Sequence, residues 1–141
     1  MGFVYMNIVI SVAEGFKNIS EPVKRRLEEI MTACDHIFIG DGAGGESEIQ
    51  EYLHEKAYAN VTVFFYGFGE AQNNAGSWET KSICRSTSER VGDRLMGFRW
   101  LVRESDAGLV IWNGKCTFSF SNILEFCEHE KEAYVFFWRR V

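Results

Sequence analysis

Three stretches of this chain are apolar at nearly every consecutive position, and they restrict its fold more than anything else in it. They are Asn7-Ile-Val-Ile-Ser-Val12, Val61-Thr-Val-Phe-Phe-Tyr66 and Gly108-Leu-Val-Ile-Trp112. A strand with one wet face alternates apolar and polar residues. A continuous, β-branched run instead belongs to a strand covered on both faces, as in a parallel sheet between two layers of helices. His36 to Ile39 and Ala133 to Trp138 read as two further strands.

Helical patterns separate these runs. Glu21 to Ala33 has Ser20 as a cap, Pro22 at an early position, and Val23, Leu27, Ile30 and Met31 on one face. Glu46 to Lys56 turns Ile49, Tyr52 and Leu53 inward, and Ser88 to Ser105 and Phe120 to His129 complete the set. Strand–helix alternation predicts a doubly wound α/β sandwich: helix layers on both faces of a mainly parallel five-stranded sheet. The 141 residues suit a single domain spanning 1–141, with no linker, repeat or low-complexity segment. Gly67 to Cys84 reads as a polar loop, unusually long for a compact domain.

In such sheets ligands bind beyond the carboxyl ends of the strands. The loops expected there are 13–19, 40–47, 67–80 and 113–119. The second contains Gly40, Gly42, Gly44 and Gly45, four glycines among six residues, between a strand and a helix. Glycine lets a ligand approach the backbone, and the helix start offers free N–H groups, so the segment is built to hold an anion such as a nucleotide phosphate. Residues 40–47 match the phosphate-loop spacing, but Glu46 stands where the lysine belongs and would repel phosphates, which excludes a triphosphate hydrolase. Gly40, Gly42 and Gly45 also fit the dinucleotide fingerprint by spacing. The strand that should end in an acid, Val61 to Tyr66, carries none, which argues against a nicotinamide-dependent dehydrogenase. The remaining alternative is a glycine-rich turn that holds nothing.

Three more clusters fall near the same edge. Asn73-Asn-Ala-Gly-Ser-Trp78 offers amides and an indole, either to a ligand or to its own turn. Arg90 and Arg94 are a helical turn apart, with Asp93 placed to orient a ribose hydroxyl or an arginine; a solvated helix face is the other reading. Trp112-Asn113-Gly114-Lys115 ends a strand in a turn with a free cation, and Thr117, Ser119 and Ser121 precede the next helix, for a phosphate, a sugar or simple capping.

These motifs in order resemble a known family: Ile39-Gly-Asp-Gly-Ala-Gly-Gly-Glu46, Ile49-Gln-Glu-Tyr-Leu53, Asn73-Asn-x-Gly-x-Trp78, Asp93-Arg-x-Met96, Ser105-Asp-Ala-Gly-x-x-Ile-Trp-Asn-Gly-Lys115 and Asn122-Ile123. The chain is similar, from Met6 to Phe137, to the SLOG superfamily of LOG-type nucleotide phosphoribohydrolases, DNA-processing DprA proteins and nucleotide-sensor domains. Nucleoside 2-deoxyribosyltransferases are more distant neighbours. The resemblance implies a Rossmann-like three-layer fold that binds a nucleotide or nucleotide sugar. In the enzymatic branches it implies cleavage of an N-glycosidic bond. Carried over, Gly40, Asp41, Gly44 and Glu46 would line the ligand, Asn74 and Trp78 would lie over it, and Asp93 and Arg94 would close one side. Where the family commonly has a Gly-Ser-Arg-like first turn, this chain has Val12-Ala-Glu14, and Phe118-Ser119 replaces a Gly-Thr.

The expectation is therefore a binder of a nucleotide or nucleotide-derived signal, with ligand contacts from Gly40, Asp41, Gly42, Gly44, Gly45, Asn74, Trp78, Arg94, Trp112, Asn113, Gly114, Lys115 and Ser119. The enzymatic alternative uses Glu46 and Asp93 as acidic groups at an oxocarbenium-like centre. A third alternative is an assembly subunit without catalysis. No cofactor and no metal site is expected: Cys34, Cys84, Cys116 and Cys127 are scattered, and none has ligand spacing to His36, His54 or His129. Net charge of −5 argues against general nucleic-acid binding. No apolar run is long enough to cross a membrane, and Met1-Gly-Phe-Val-Tyr5 lacks signal-peptide features, so a cytoplasmic protein is expected. Met6 serves equally well as a first residue. Aromatic content of 15% exceeds core needs and points to self-association as a dimer or larger.

Overall fold

A computed structural model describes residues 5–84 and 91–139, with Cys84 and residues 91–96 described by backbone alone. The elements follow in the order β1 (Asn7–Val12), α1 (Glu21–Thr32), β2 (His36–Gly40), α2 (Gly45–Glu55), β3 (Val61–Tyr66), β4 (Glu79–Cys84), α3 (Val91–Glu104), β5 (Ala107–Trp112), α4 (Thr117–Glu128) and β6 (Glu132–Phe137). All pairings are parallel, in the order β4-β3-β2-β1-β5-β6. The sheet therefore has six strands and not the expected five.

The extra strand is β4, inside the stretch expected to be loop. Glu79-Thr-Lys-Ser-Ile-Cys84 shows no continuous apolar run because it is an edge strand, where polar and charged residues protect the open side. Its register on β3 is also interrupted by a shift between Phe65 and Tyr66.

Helices cover both faces, as continuous apolar strands require. On one face Ile8, Ile10, Ile37, Ile39, Val61, Val63, Leu109 and Ile111 pack against Val23, Leu27 and Ile30 of α1 and Ile49 and Leu53 of α2. On the other, Val9, Phe64 and Val110 meet Phe98, Leu101 and Val102 of α3 and Phe126 of α4. The architecture is a three-layer, Rossmann-like α/β sandwich. Among the described residues no helix is long and apolar enough to cross a membrane.

A parallel crossover normally uses a helix to return the chain to the start of the next strand. Between β3 and β4 that return is made by residues 67–78, which run beside α2. Gln50 of α2 is fully buried and fastens this segment: its Nε2 donates to Gly40 O (2.8 Å) and Asn73 O (3.2 Å), and its Oε1 accepts from Ala75 N (2.9 Å). The Trp78 indole N–H donates to Tyr58 O at 2.8 Å, and Trp78 packs on the α1/α2 core.

Candidate functional site

The strand order reverses at β1, so β2 and β5 flank it. Their following loops, 41–44 and 113–116, leave the carboxyl edge about 10 Å apart, two strand spacings. This is the switch-point position where open α/β sheets take ligands.

The glycine loop turns from β2 into α2 at Gly44, whose φ of 109° excludes ordinary side chains. Gly45 is glycine for a different reason. A Cβ there would lie 2.5 Å from Val12 Cγ1 and 3.0 Å from Ala13 O, so the helix start is pressed against the end of β1. Gly45 is buried in packing, while Gly44 has open space around it.

The centre of the loop is taken by Glu46. Its carboxylate turns back so far that a Cβ built on Gly42 would be 2.7 Å from Oε2, and one on Gly40 would be 3.3 Å from Oε1. The side chain fills the space that Gly40 and Gly42 open. Burial pushes the Glu46 carboxyl above the usual carboxylate range; its own backbone N–H draws it back, and the charge of Asp41 adds to the rise. A phosphate cannot share this space with an ionised Glu46. A hydroxyl can donate to it, and a protonated Glu46 can itself donate.

Asp41 holds the crossover segment beside the loop: its Oδ2 accepts from Gln72 N (2.9 Å) and its carbonyl from Asn73 Nδ2 (2.7 Å). Asn74 exchanges two hydrogen bonds with the Trp78 backbone, at 2.8 and 2.9 Å. Trp78 also lies so close to Gly76 that a Cβ there would be 2.2 Å from its ring. Of this segment, Gln72 and Asn73 reach the glycine loop through Asp41, whereas Trp78, beside Tyr58 and His54 at the far end of α2 and next to the start of β4, lies at the opposite, amino-terminal edge and does not stand over the loop as expected.

On the other flank Asn113 Oδ1 accepts from Lys115 N and Cys116 N, both at 2.8 Å, closing a turn through Gly114 at φ 81°. Trp112 Nε1 donates to Cys116 O (3.0 Å), and its ring stacks on Phe120. This turn delivers the exposed Lys115 to the start of α4, whose first turn carries no acid and whose N-cap, Cys116, makes no side-chain cap bond. Ser119 lies one turn in and is buried. In the loop after β1, Phe16 is buried and meets Trp138 edge-on at 5.6 Å.

The structure thus gathers Gly40, Asp41, Gly42, Gly44, Glu46 and Asn73 around one loop and Trp112 to Lys115 around its neighbour, and it does not bring Trp78 to either. The side chains of Asp93 and Arg94 lie outside the described residues. Among the described residues no group of three or more His, Cys, Asp or Glu is placed to hold a metal ion. Gln50 and Phe16 are the site-shaping residues that sequence reasoning missed. A glutamine beside Ile49 on the inward side of α2 was the available signal for the first; Phe16, in an irregular loop, gave none.

A separate open pocket of about 440 Å³ lies at the opposite, amino-terminal edge, lined by Asn7, His36, Phe38, Thr62, Glu79, Thr80 and Lys81. There His36 Nε2 is 2.7 Å from Thr62 Oγ1, and burial holds the imidazole below its usual range while Glu79 opposes the shift. No protein-family model matches the chain, and no curated protein is similar enough to it to count as a relative.

Proposed function

We propose that this protein binds a nucleotide or nucleotide-derived signal at the carboxyl edge of the sheet, with Glu46 reading a sugar hydroxyl and the Lys115 turn taking a phosphate. The observation that carries the reading is the inward-turned Glu46 carboxylate between Gly40 and Gly42. Backbone this bare around a desolvated acid suits a ligand hydroxyl entering along the glycines, with the anionic part directed to the flank that carries a cation and free helix N–H groups. The motif order resembling the SLOG superfamily supports the same ligand class, and a cytoplasmic, self-associating protein is part of this reading.

Calorimetry against a panel of ribonucleotides, cyclic nucleotides and ADP-ribose derivatives tests it. The expected result is binding that weakens about tenfold in Glu46→Gln and in ligands lacking the ribose hydroxyls, the value of one hydrogen bond to a charged group. Failure of every ligand to bind at millimolar concentration ends the proposal.

A second reading is favoured by the raised Glu46 carboxyl, since acids with upward-shifted values suit general acid–base work. In it the protein cleaves an N-glycosidic bond, Glu46 acting at the anomeric centre with Asp93 as the second acid. Base release from nucleoside monophosphates that is unchanged in Glu46→Gln would sink this assignment.

A further inference from the structure

The two edges of the sheet are treated differently. β4 is bordered by Glu79 and Lys81 and its register slips on β3, features that discourage another strand from adding there. β6, Glu132–Phe137, carries a charge only at its first residue and no register slip. It pairs without interruption along β5 from Ala107↔Glu132 to Trp112↔Phe137 and ends the sheet. Val135 is 45% exposed and Phe137 62% exposed.

The backbone phase of this edge follows from one bond. Trp138 N donates to Trp112 O at 2.8 Å, so Trp138 and every second residue before it turn their polar groups toward β5. Ala133, Val135 and Phe137 therefore turn their N–H and C=O groups to the open side. An uncovered ladder bearing exposed apolar side chains is a template for another strand.

Charge selects which strand. The approach to β6 is acidic on balance, with Glu128, Glu130 and Glu132 against Lys131, whose ammonium is turned to the Val102 and Arg103 carbonyls, whereas its exit carries Arg139. A strand with this gradient repels a parallel copy of itself and attracts an antiparallel one. A two-fold axis along the sheet normal keeps each side chain on its own face, so residues of like parity must lie opposite each other. A register that sets Val135 against the partner's Phe137 meets that condition. It pairs only outward-turned residues in its hydrogen-bonded positions and brings each acidic start to the partner's basic end. On the same face of the sheet, Phe120 and Leu124 of α4, one turn apart, are also exposed.

We propose that β6 is a self-recognition strand: two copies of this chain pair β6 antiparallel about a two-fold axis, joining their sheets into one of twelve strands. The interface closes on itself, so the assembly stops at the dimer. This proposal stands independently of the ligand reading.

Light scattering and sedimentation of the full chain at high micromolar concentration test it, with circular dichroism and thermal unfolding as the check on folding. Wild type is expected to be a dimer. Val135→Pro removes an outward N–H without touching the β5 ladder and should leave a folded monomer. Val135→Lys, which keeps the N–H and places a cation on the exposed face, should weaken the dimer. Glu132→Lys, which places a cation at the strand start that faces the partner's basic end, should weaken it about tenfold, the effect of unfavourable charge across an interface. A monomeric wild type, open-ended oligomers, a dimer indifferent to both Val135 substitutions, or a dimer unaffected by Glu132→Lys would overturn the proposal.

Discussion

Glu46 and His36 are titratable groups displaced in the directions that burial dictates, the acid upward from 4.5 and the base downward from 6.5. The signs of their linkage are opposite. Glu46 binds its proton more tightly in the folded state, so its contribution is full below pH 4.5 and is lost as pH rises through its folded value. His36 binds its proton less tightly when folded, so its contribution is full above pH 6.5 and is lost as pH falls through its folded value. Melting temperatures of Glu46→Gln relative to wild type should therefore climb as pH is raised, and those of His36→Gln should climb as it is lowered. A difference curve of the wrong slope in either series contradicts the placement of that side chain. Gly45→Ala tests the packing beside Glu46. Its methyl would enter space held by Val12 and the Ala13 carbonyl, and overpacking of this kind costs about 1–3 kcal/mol, read as a lower urea midpoint. The presence of the glycines was legible in the sequence. Their division of labour was not, because Gly44 serves a backbone angle and Gly45 a contact with a strand more than thirty residues earlier.

Among the elements, the return from β3 to β4 depends most on a single side chain. Gln50→Ala would strip partners from Gly40 O, Asn73 O and Ala75 N inside the protein, at a cost of about 2–3 kcal/mol. The 67–78 segment and β4 should then exchange their amide hydrogens faster, while β1 and β5 keep their protection; exchange mass spectrometry resolves the two groups. Uniform acceleration over the whole sheet would show that Gln50 stabilises the molecule without any preference for this crossover. Strands β1, β3 and β5 could be read from the sequence because they are buried on both faces. β4 could not, because an edge strand must look hydrophilic to remain unpaired, and hydrophilic alternation resembles loop. Asn73, Asn74 and Trp78 stood out to the eye as ligand groups for the same reason: a crossover without a helix needs side chains to satisfy its backbone, and those are the residue types that also hold ligands.

Across the molecule, the reversal of strand order at β1 sets both the position of the candidate site and the order of assembly. The layered α/β class was readable from the alternation of elements, but the neighbour of β1 on its second flank was not, since local pattern carries no record of which distant strand arrives there. β1 acquires that neighbour from far along the chain: Asn7 N bonds to the carboxylate of Asp106, 99 residues later. Truncation after Glu104 should accordingly abolish cooperative unfolding, even though four of the six strands remain; calorimetry of the shortened chain checks this. During synthesis the same distance becomes a delay. With chain growth at about 5–20 residues per second, β1 waits on the order of ten seconds between leaving the ribosome and meeting β5. Throughout that interval its second flank is an open apolar edge, so the most central strand of the finished protein is the one a nascent chain must keep shielded longest.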